Sequence, residues 1–230
     1  MAHKNSVAIL IDGGFFLKRY RRVFKNASNH TPAQVANNLY NMARSHLKEN
    51  DYLYRIFYYD STPLLKRVHN PISKKVVDFS KTPQAKFRLE FFEEMKKKRK
   101  VALRLGFIKD YGNWLINHDR AKELLSGKIS ISDLTADDVT YEMRQKGIDI
   151  KIGVDIASLS LKKFVTQIIL ISGDSDFVPA SKLARREGID FILDPMWNPI
   201  DDSLFEHIDG LQSKCGRPFA KQKKTDPPTV

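Results

Sequence analysis

Cysteine is nearly absent. The 230-residue chain has one, Cys215, so neither an intrachain disulfide nor a multi-cysteine zinc site is available, and a reducing compartment fits best. Long apolar runs are missing too. None approaches the length of a membrane span, and residues 1–6 lack the apolar core of a signal peptide, so the expectation is a cytoplasmic protein with no membrane partner. Acids are in deficit, 27 against 39 lysines and arginines, a net charge of +12. That balance is compatible with a polyanionic partner, since basic side chains release counterions from phosphates; alone it does not separate nucleic acid from an acidic membrane or a merely soluble surface. A hydrophobic content of 42% excludes a disordered chain, and the length suits one domain with a substantial core. No internal repeat is present.

The most informative stretch is residues 167–193, which reads as strand QIILISGDSDF, helix PASKLARREG and strand IDFIL. Val165 and Ile168 to Ile171 form a short apolar run suited to a strand buried on both faces. Pro179 is tolerated in a first helical turn, and Gly188 closes the helix. This is a βαβ unit. Open parallel sheets place their sites beyond the carboxyl ends of the strands, which is where Asp174 and Asp176 fall.

In chain order, residues 6–11 read as a first parallel strand ending at Asp12-Gly13-Gly14, where two glycines permit a sharp exit and close approach of a ligand. Residues 15–24 read as a short basic helix, residues 32–48 as a second helix capped by Thr31, and residues 52–59 as a second strand. Residues 64–83 read as a mobile basic loop. A helix from about residue 84 runs into Lys96-Lys97-Lys98-Arg99-Lys100, either a last turn favouring the helix dipole or a patch that tracks phosphates. Residues 101–108 have the length of a third strand, and residues 110–138 read as an insertion or lid. Tyr111, Trp114 and Tyr141 suit base stacking or ordinary packing. Lys146-Gly147-Ile148-Asp149 reads as a turn into an extended piece, with a helix from about residue 153. Asp155 then sits at the border of that helix's apolar face, as a dipole partner or a site residue. A closing helix spans residues 201–208, and residues 213–230 read as a basic disordered tail.

Asp12, Asp155, Asp174 and Asp176 each fall at a strand end or a helix start. Like charges held together repel unless a cation neutralises them, and oxygen donors without cysteine or paired histidine select Mg²⁺ or Mn²⁺ over zinc. Such an ion polarises a phosphoryl oxygen and helps form hydroxide for in-line attack on a phosphodiester. Each motif alone also has a plain reading, Asp174 or Ser175 as an N-cap and Asp12 as a turn residue.

The order VAILIDG at residues 7–13, KGID at 146–149 leading to Val154-Asp155, and ISGDSDFVP at 171–179 with LARREG at 183–188 closely resembles the NYN domain, in the LabA-like branch of the PIN-like nucleases. SGDSDFVP is the specific part. The resemblance implies an α/β class fold, a three-layer α/β/α sandwich, PIN-like and Rossmann-like, with a mainly parallel central sheet. It implies one domain over residues 1–212 with a basic, irregular insertion around 64–140, and an acidic pocket binding Mg²⁺ or Mn²⁺ for RNA cleavage. By motif position Asp12, Asp155, Asp174 and Asp176 are then the catalytic and metal residues, with Asp149 an additional acid and Ser172 and Ser175 in support. Lys96, Lys97, Lys98, Arg99, Lys100 and Lys146 would contact RNA, single-stranded or structured, and a homodimer is left open. The chain departs from the family at Phe15, where many members carry a polar residue.

The leading expectation is therefore a metal-dependent ribonuclease, and the alternative a catalytically weak or inactive RNA-binding regulator on the same fold. A phosphatase using Asp12 as nucleophile lacks a second acid, because Gly14 stands two residues later. A dinucleotide site lacks the G-x-G-x-x-G loop.

Overall fold

A computed structural model describes residues 5–219. Strand β1 (Ser6–Asp12) is fully buried from Val7 to Ile11, with Val7, Ile9 and Ile11 entering one core and Ala8 and Leu10 the other. A strand apolar on both faces demands a layer on each side, and the chain supplies them. Helices α1 (Gly13–Val23), α2 (Pro32–Arg44) and α3 (Pro83–Lys96) cover one face. Thr31 and Gln34 form the reciprocal cap of α2, as its sequence predicts.

Strand β2 (Tyr52–Ser61) pairs parallel with β1. The basic loop expected over residues 64–83 instead contains a small antiparallel hairpin, β3 (Arg67–His69) and β4 (Val76–Asp78). Three-residue strands are too short to show a period of two, which is why the sequence hides them. Asn70 holds the turn by accepting from the N–H groups of Ile72 and Ser73.

Strand β5 (Val101–Ile116) is twice the expected length and changes partner midway. Val101 to Gly106 pair parallel with β2, and Phe107 to Ile116 pair antiparallel with β6 (Val139–Lys146), with a bulge between Asp110 and Trp114. The stretch expected as an irregular lid is thus mostly an ordered arm. Helix α4 (His118–Leu125) lies beyond it. Gly112 at φ +75 and Asn113 break the apolar pattern inside the bulge, so the strand reads as loop. Trp114 and Tyr141 pack edge to face, with Phe79 against the same tyrosine, which is the packing reading of those aromatics.

Helix α5 (Ile148–Leu161) starts five residues before the expected point, directly after Gly147 at φ +79. Strand β7 (Gln167–Ile171) then returns to the centre beside β1, followed by α6 (Val178–Arg186), β8 (Asp190–Asp194), α7 (Asp202–Phe205) and β9 (Gly210–Leu211). Helices α5 and α6, with Leu204 of α7, close the second core. The sheet order is β6-β5-β2-β1-β7-β8-β9, parallel except at β5–β6, giving a three-layer α/β/α sandwich. Residues 213–219 are not the loose tail expected. Trp197 donates from its ring nitrogen to the Cys215 carbonyl, and Phe219 N–H reaches the Arg22 carbonyl. Residues 220–230 of that expected tail lie outside the described residues.

Chain order runs outward from β1 in both directions, so the β1–β7 boundary is a topological switch point where the crossovers part and leave a crevice. Gly13 starts α1 there against the sheet. A Cβ on it would lie 2.5 Å from the Tyr58 hydroxyl and 2.6 Å from the Tyr59 carbonyl. Gly13→Ala is expected to lower stability by about 1–3 kcal/mol, as overpacking does, in urea unfolding; an unchanged midpoint would show that the backbone has room to move.

Candidate active site

Ile11 pairs with Ile171, so the residues after them, Asp12 and Ser172-Gly173-Asp174, emerge side by side at the carboxyl edge. Asp12 caps α1, its Oδ1 accepting from Phe15 N–H at 3.1 Å, while its Oδ2 lies 3.4 Å from the Ser172 hydroxyl. No ion pair among the described residues reaches it. Burial first, then the nearby negative charges of Asp149 and Asp60, push its carboxyl up to about 6, against the opposing pull of the Phe15 and Gly14 N–H groups.

Asp174 caps the turn of Ser175–Phe177, accepting from Asp176 N–H at 3.0 Å, and both acids are exposed. Asp149 stands in the first turn of α5, where the helix dipole favours an acid. Its carboxyl is raised by desolvation, then by Asp174 and Asp176. Asp12, Asp149, Asp174 and Asp176 therefore share one electrostatic neighbourhood.

Asp155 is placed differently. Six residues further along α5 amount to about 9 Å of rise and a turn of about 120° away from Asp149. There it forms an ion pair with Arg104 (Nε to Oδ2 3.0 Å) and accepts from the Tyr59 hydroxyl at 2.8 Å. The early start of α5 causes this: Asp155 is mid-helix, so the dipole reading fails with it.

Asp60 is a residue the sequence reading passed over. It ends β2 beside β1, is 1% exposed, pairs with Arg88, and accepts from Ser61 N–H, Tyr58 and Gln145. Its position at the carboxyl end of a strand neighbouring β1 was the available signal. A cleft of about 460 Å³ opens at the edge, lined by Asp12, Ser172, Asp174 and Ser175 together with Lys18 and Arg22 of α1. Phe15 lines it as well, packed beneath Gly173, where a Cβ would meet its ring at 2.9 Å. Arg19 turns inward instead, donating to the Met196 carbonyl.

The basic run lies elsewhere. Lys96 to Lys100 lead into the amino end of β5, a parallel strand, and so sit at the edge opposite the acids. Lys96 and Lys97 pair with Glu93 and Glu94, Lys98 meets Asn37, and Lys100 reaches the Leu53 carbonyl over the Tyr52 ring. Lys146, by contrast, ends β6 at the acidic edge.

A doubly wound α/β/α sandwich with acids crowded at its switch point belongs to the class of open-sheet proteins whose sites lie outside the carboxyl ends of the strands. More narrowly, the chain belongs to the NYN domain family, whose model matches residues 6–196, and through it to the PIN-like nuclease superfamily. A crystal structure of a Vibrio parahaemolyticus protein of unknown function is similar at 16% identity and a TM-score of 0.46, over 93% of this chain and 94% of that one. No curated protein matches.

Among the described residues no three acidic, histidine or cysteine side chains converge into a ready-made metal shell. No described helix is long and apolar enough to cross a membrane. The raised Asp12 carboxyl has a consequence for stability. Because the native state holds that proton more tightly than the unfolded chain, stability falls as pH rises from about 4 to about 6 and stays lowered above it. Asn caps a helix as well as Asp, so Asp12→Asn is expected to raise metal-free stability by roughly 1–3 kcal/mol at pH 7.5 and by little at pH 4. Equal effects at both pH values would contradict the buried-charge account.

Proposed function

We propose that the acidic edge is the active site of a metal-dependent ribonuclease. The observation that carries this is Asp12, an uncompensated carboxylate fixed at the switch point beside Asp149, Asp174 and Asp176, in a cleft that Lys18 and Arg22 also line. The donor set fits a hard divalent ion. Mg²⁺ keeps several waters and needs only one or two carboxylates with substrate phosphate. Asp12 and Asp174 would hold Mg²⁺ or Mn²⁺, with Asp149 and Asp176 binding its waters. When bound, the ion supplies positive charge to the phosphoryl oxygens and lowers the pKa of attacking water.

The chain's own residues do the rest. Lys18 and Arg22 hold the phosphate flanking the scissile bond, and the Gly14 backbone leaves room for it at the edge. Ser172 orients Asp12, and Ser175 shapes the turn that presents Asp174. Attack by water on phosphorus breaks the bond to one ribose oxygen; the proton lost by water passes to Asp149 or Asp176, and the departing oxygen takes up a proton from solvent. Asp155 is a positioning residue, tying α5 to β5 through Arg104 so that Asp149 stays close to the other acids.

A second reading, RNA binding without turnover, draws on the lack of a converged shell among the described residues. End-labelled RNA incubated with Mg²⁺, Mn²⁺ or EDTA separates the two. Metal-dependent cleavage is expected, falling by about 100-fold or more in Asp174→Asn and Asp149→Asn, the scale of losing a positioned catalytic group, and by only a few-fold in Asp155→Asn. Cleavage that survives in Asp174→Asn would reject the acidic edge as its site, and RNA bound but never cut would reject the ribonuclease.

A further inference from the structure

The antiparallel half of β5 begins where its parallel half ends, so the β5–β6 arm rises directly from the acidic edge. Side chains alternate along a strand, and directly paired residues share a face. Phe107, Lys109 and Tyr111 thus share one face of the arm with Lys146, opposite Phe107, and Arg144, opposite Lys109. The reverse face is occupied. Gln145 reaches Asp60, Asp110 meets Lys66, and Tyr141 packs on Phe79.

The first face is open to solvent. Phe107 is 59% exposed, and Lys109, Arg144 and Lys146 are exposed beside it. Lys109 Nζ and Arg144 Cζ lie 4.9 and 5.9 Å from the Tyr111 ring centre, which gathers the two cations at one place. Arg144 also lies 3.5 Å from the half-buried Glu142, with its own side chain left exposed. A merely solvated strand face has no use for a bare phenyl ring, and a packing face would not carry three exposed cations. Cations interleaved with an accessible aromatic ring match a strand of unpaired nucleotides, whose phosphates need charge and whose bases offer π-faces. A duplex hides those faces.

We propose that this face of the arm is the landing surface for single-stranded RNA, with Phe107 stacking one base and Lys109, Arg144 and Lys146 holding the neighbouring phosphates. The inference rests on the ribonuclease reading of the acidic edge and names the form of substrate it takes. Lys146 is three residues from Asp149, so a strand held on the arm is led toward the acids.

The test is fluorescence anisotropy in EDTA, using a labelled unstructured 20-nucleotide RNA and its duplex over a salt series. Phe107→Ala is expected to weaken binding of the single strand by about 5- to 100-fold and leave the duplex unchanged, with Phe107→Tyr restoring it. Lys109→Gln/Arg144→Gln/Lys146→Gln should flatten the slope of log affinity against log salt by about 2 for the single strand. Lys96→Gln/Lys97→Gln at the opposite edge should leave that slope unchanged. Unaltered affinity and slope in folded arm variants, or a slope lost in the opposite-edge variant instead, overturns the proposal. If such variants bind normally while the wild type still cuts RNA, the arm assignment alone fails; a wild type that neither binds nor cuts RNA brings down the ribonuclease reading with it.

Discussion

Repulsion among carboxylates that the fold does not let separate governs this molecule. Asp12 ends a strand buried from Val7 to Ile11 between two helical layers, so its backbone has nowhere to go. Asp60 and Asp155 are in comparable company and are neutralised from within the chain, by Arg88 and Arg104. Asp12 has only backbone N–H groups and a hydroxyl, and burial pushes its carboxyl up to about 6. Arginine thus meets Asp60 and Asp155, whereas no cation among the described residues pairs with Asp12.

The rest of the architecture presents that charge. The switch point opens a crevice between β1 and β7, Gly13 lets α1 start hard against the sheet, and α1 turns Lys18 and Arg22 toward the cleft while Arg19 anchors the Met196 loop. Cations and acids are thereby sorted into the lining of one opening. The +12 of the whole chain is less informative than this local sorting, since its densest run, Lys96 to Lys100, lies at the far edge and is partly spent on glutamates and carbonyls.

What the sequence made readable was whatever repeats a strong local pattern. The runs of β1 and β7, the Thr31 cap, and the acid-bearing exits at Asp12 and Asp174 are periodic or bounded by turn residues, so their positions follow from residues close in sequence. The β5–β6 arm was not readable, because its bulge at residues 110–114 interrupts the alternation and its pairing joins residues some thirty positions apart. Placing α5 five residues too late put Asp155 near a helix start, whereas Asp149 stands in the first turn and Asp155 lies mid-helix. Gly147 suggested a turn but not that the helix follows it at once, and only tertiary pairing reveals Arg104 beneath Asp155. Asp60 was visible as a strand-end acid, but its link to Asp12 depends on which strands are neighbours.

The central claim is that a hard divalent ion completes the acidic edge. Water-proton relaxation during titration of Mn²⁺ into the protein at pH 7.5 tests it most directly, independently of any nuclease assay. The account predicts saturable Mn²⁺ binding that Mg²⁺ displaces and that Asp12→Asn abolishes. No bound Mn²⁺ at millimolar concentration, or binding indifferent to Asp12, would contradict it.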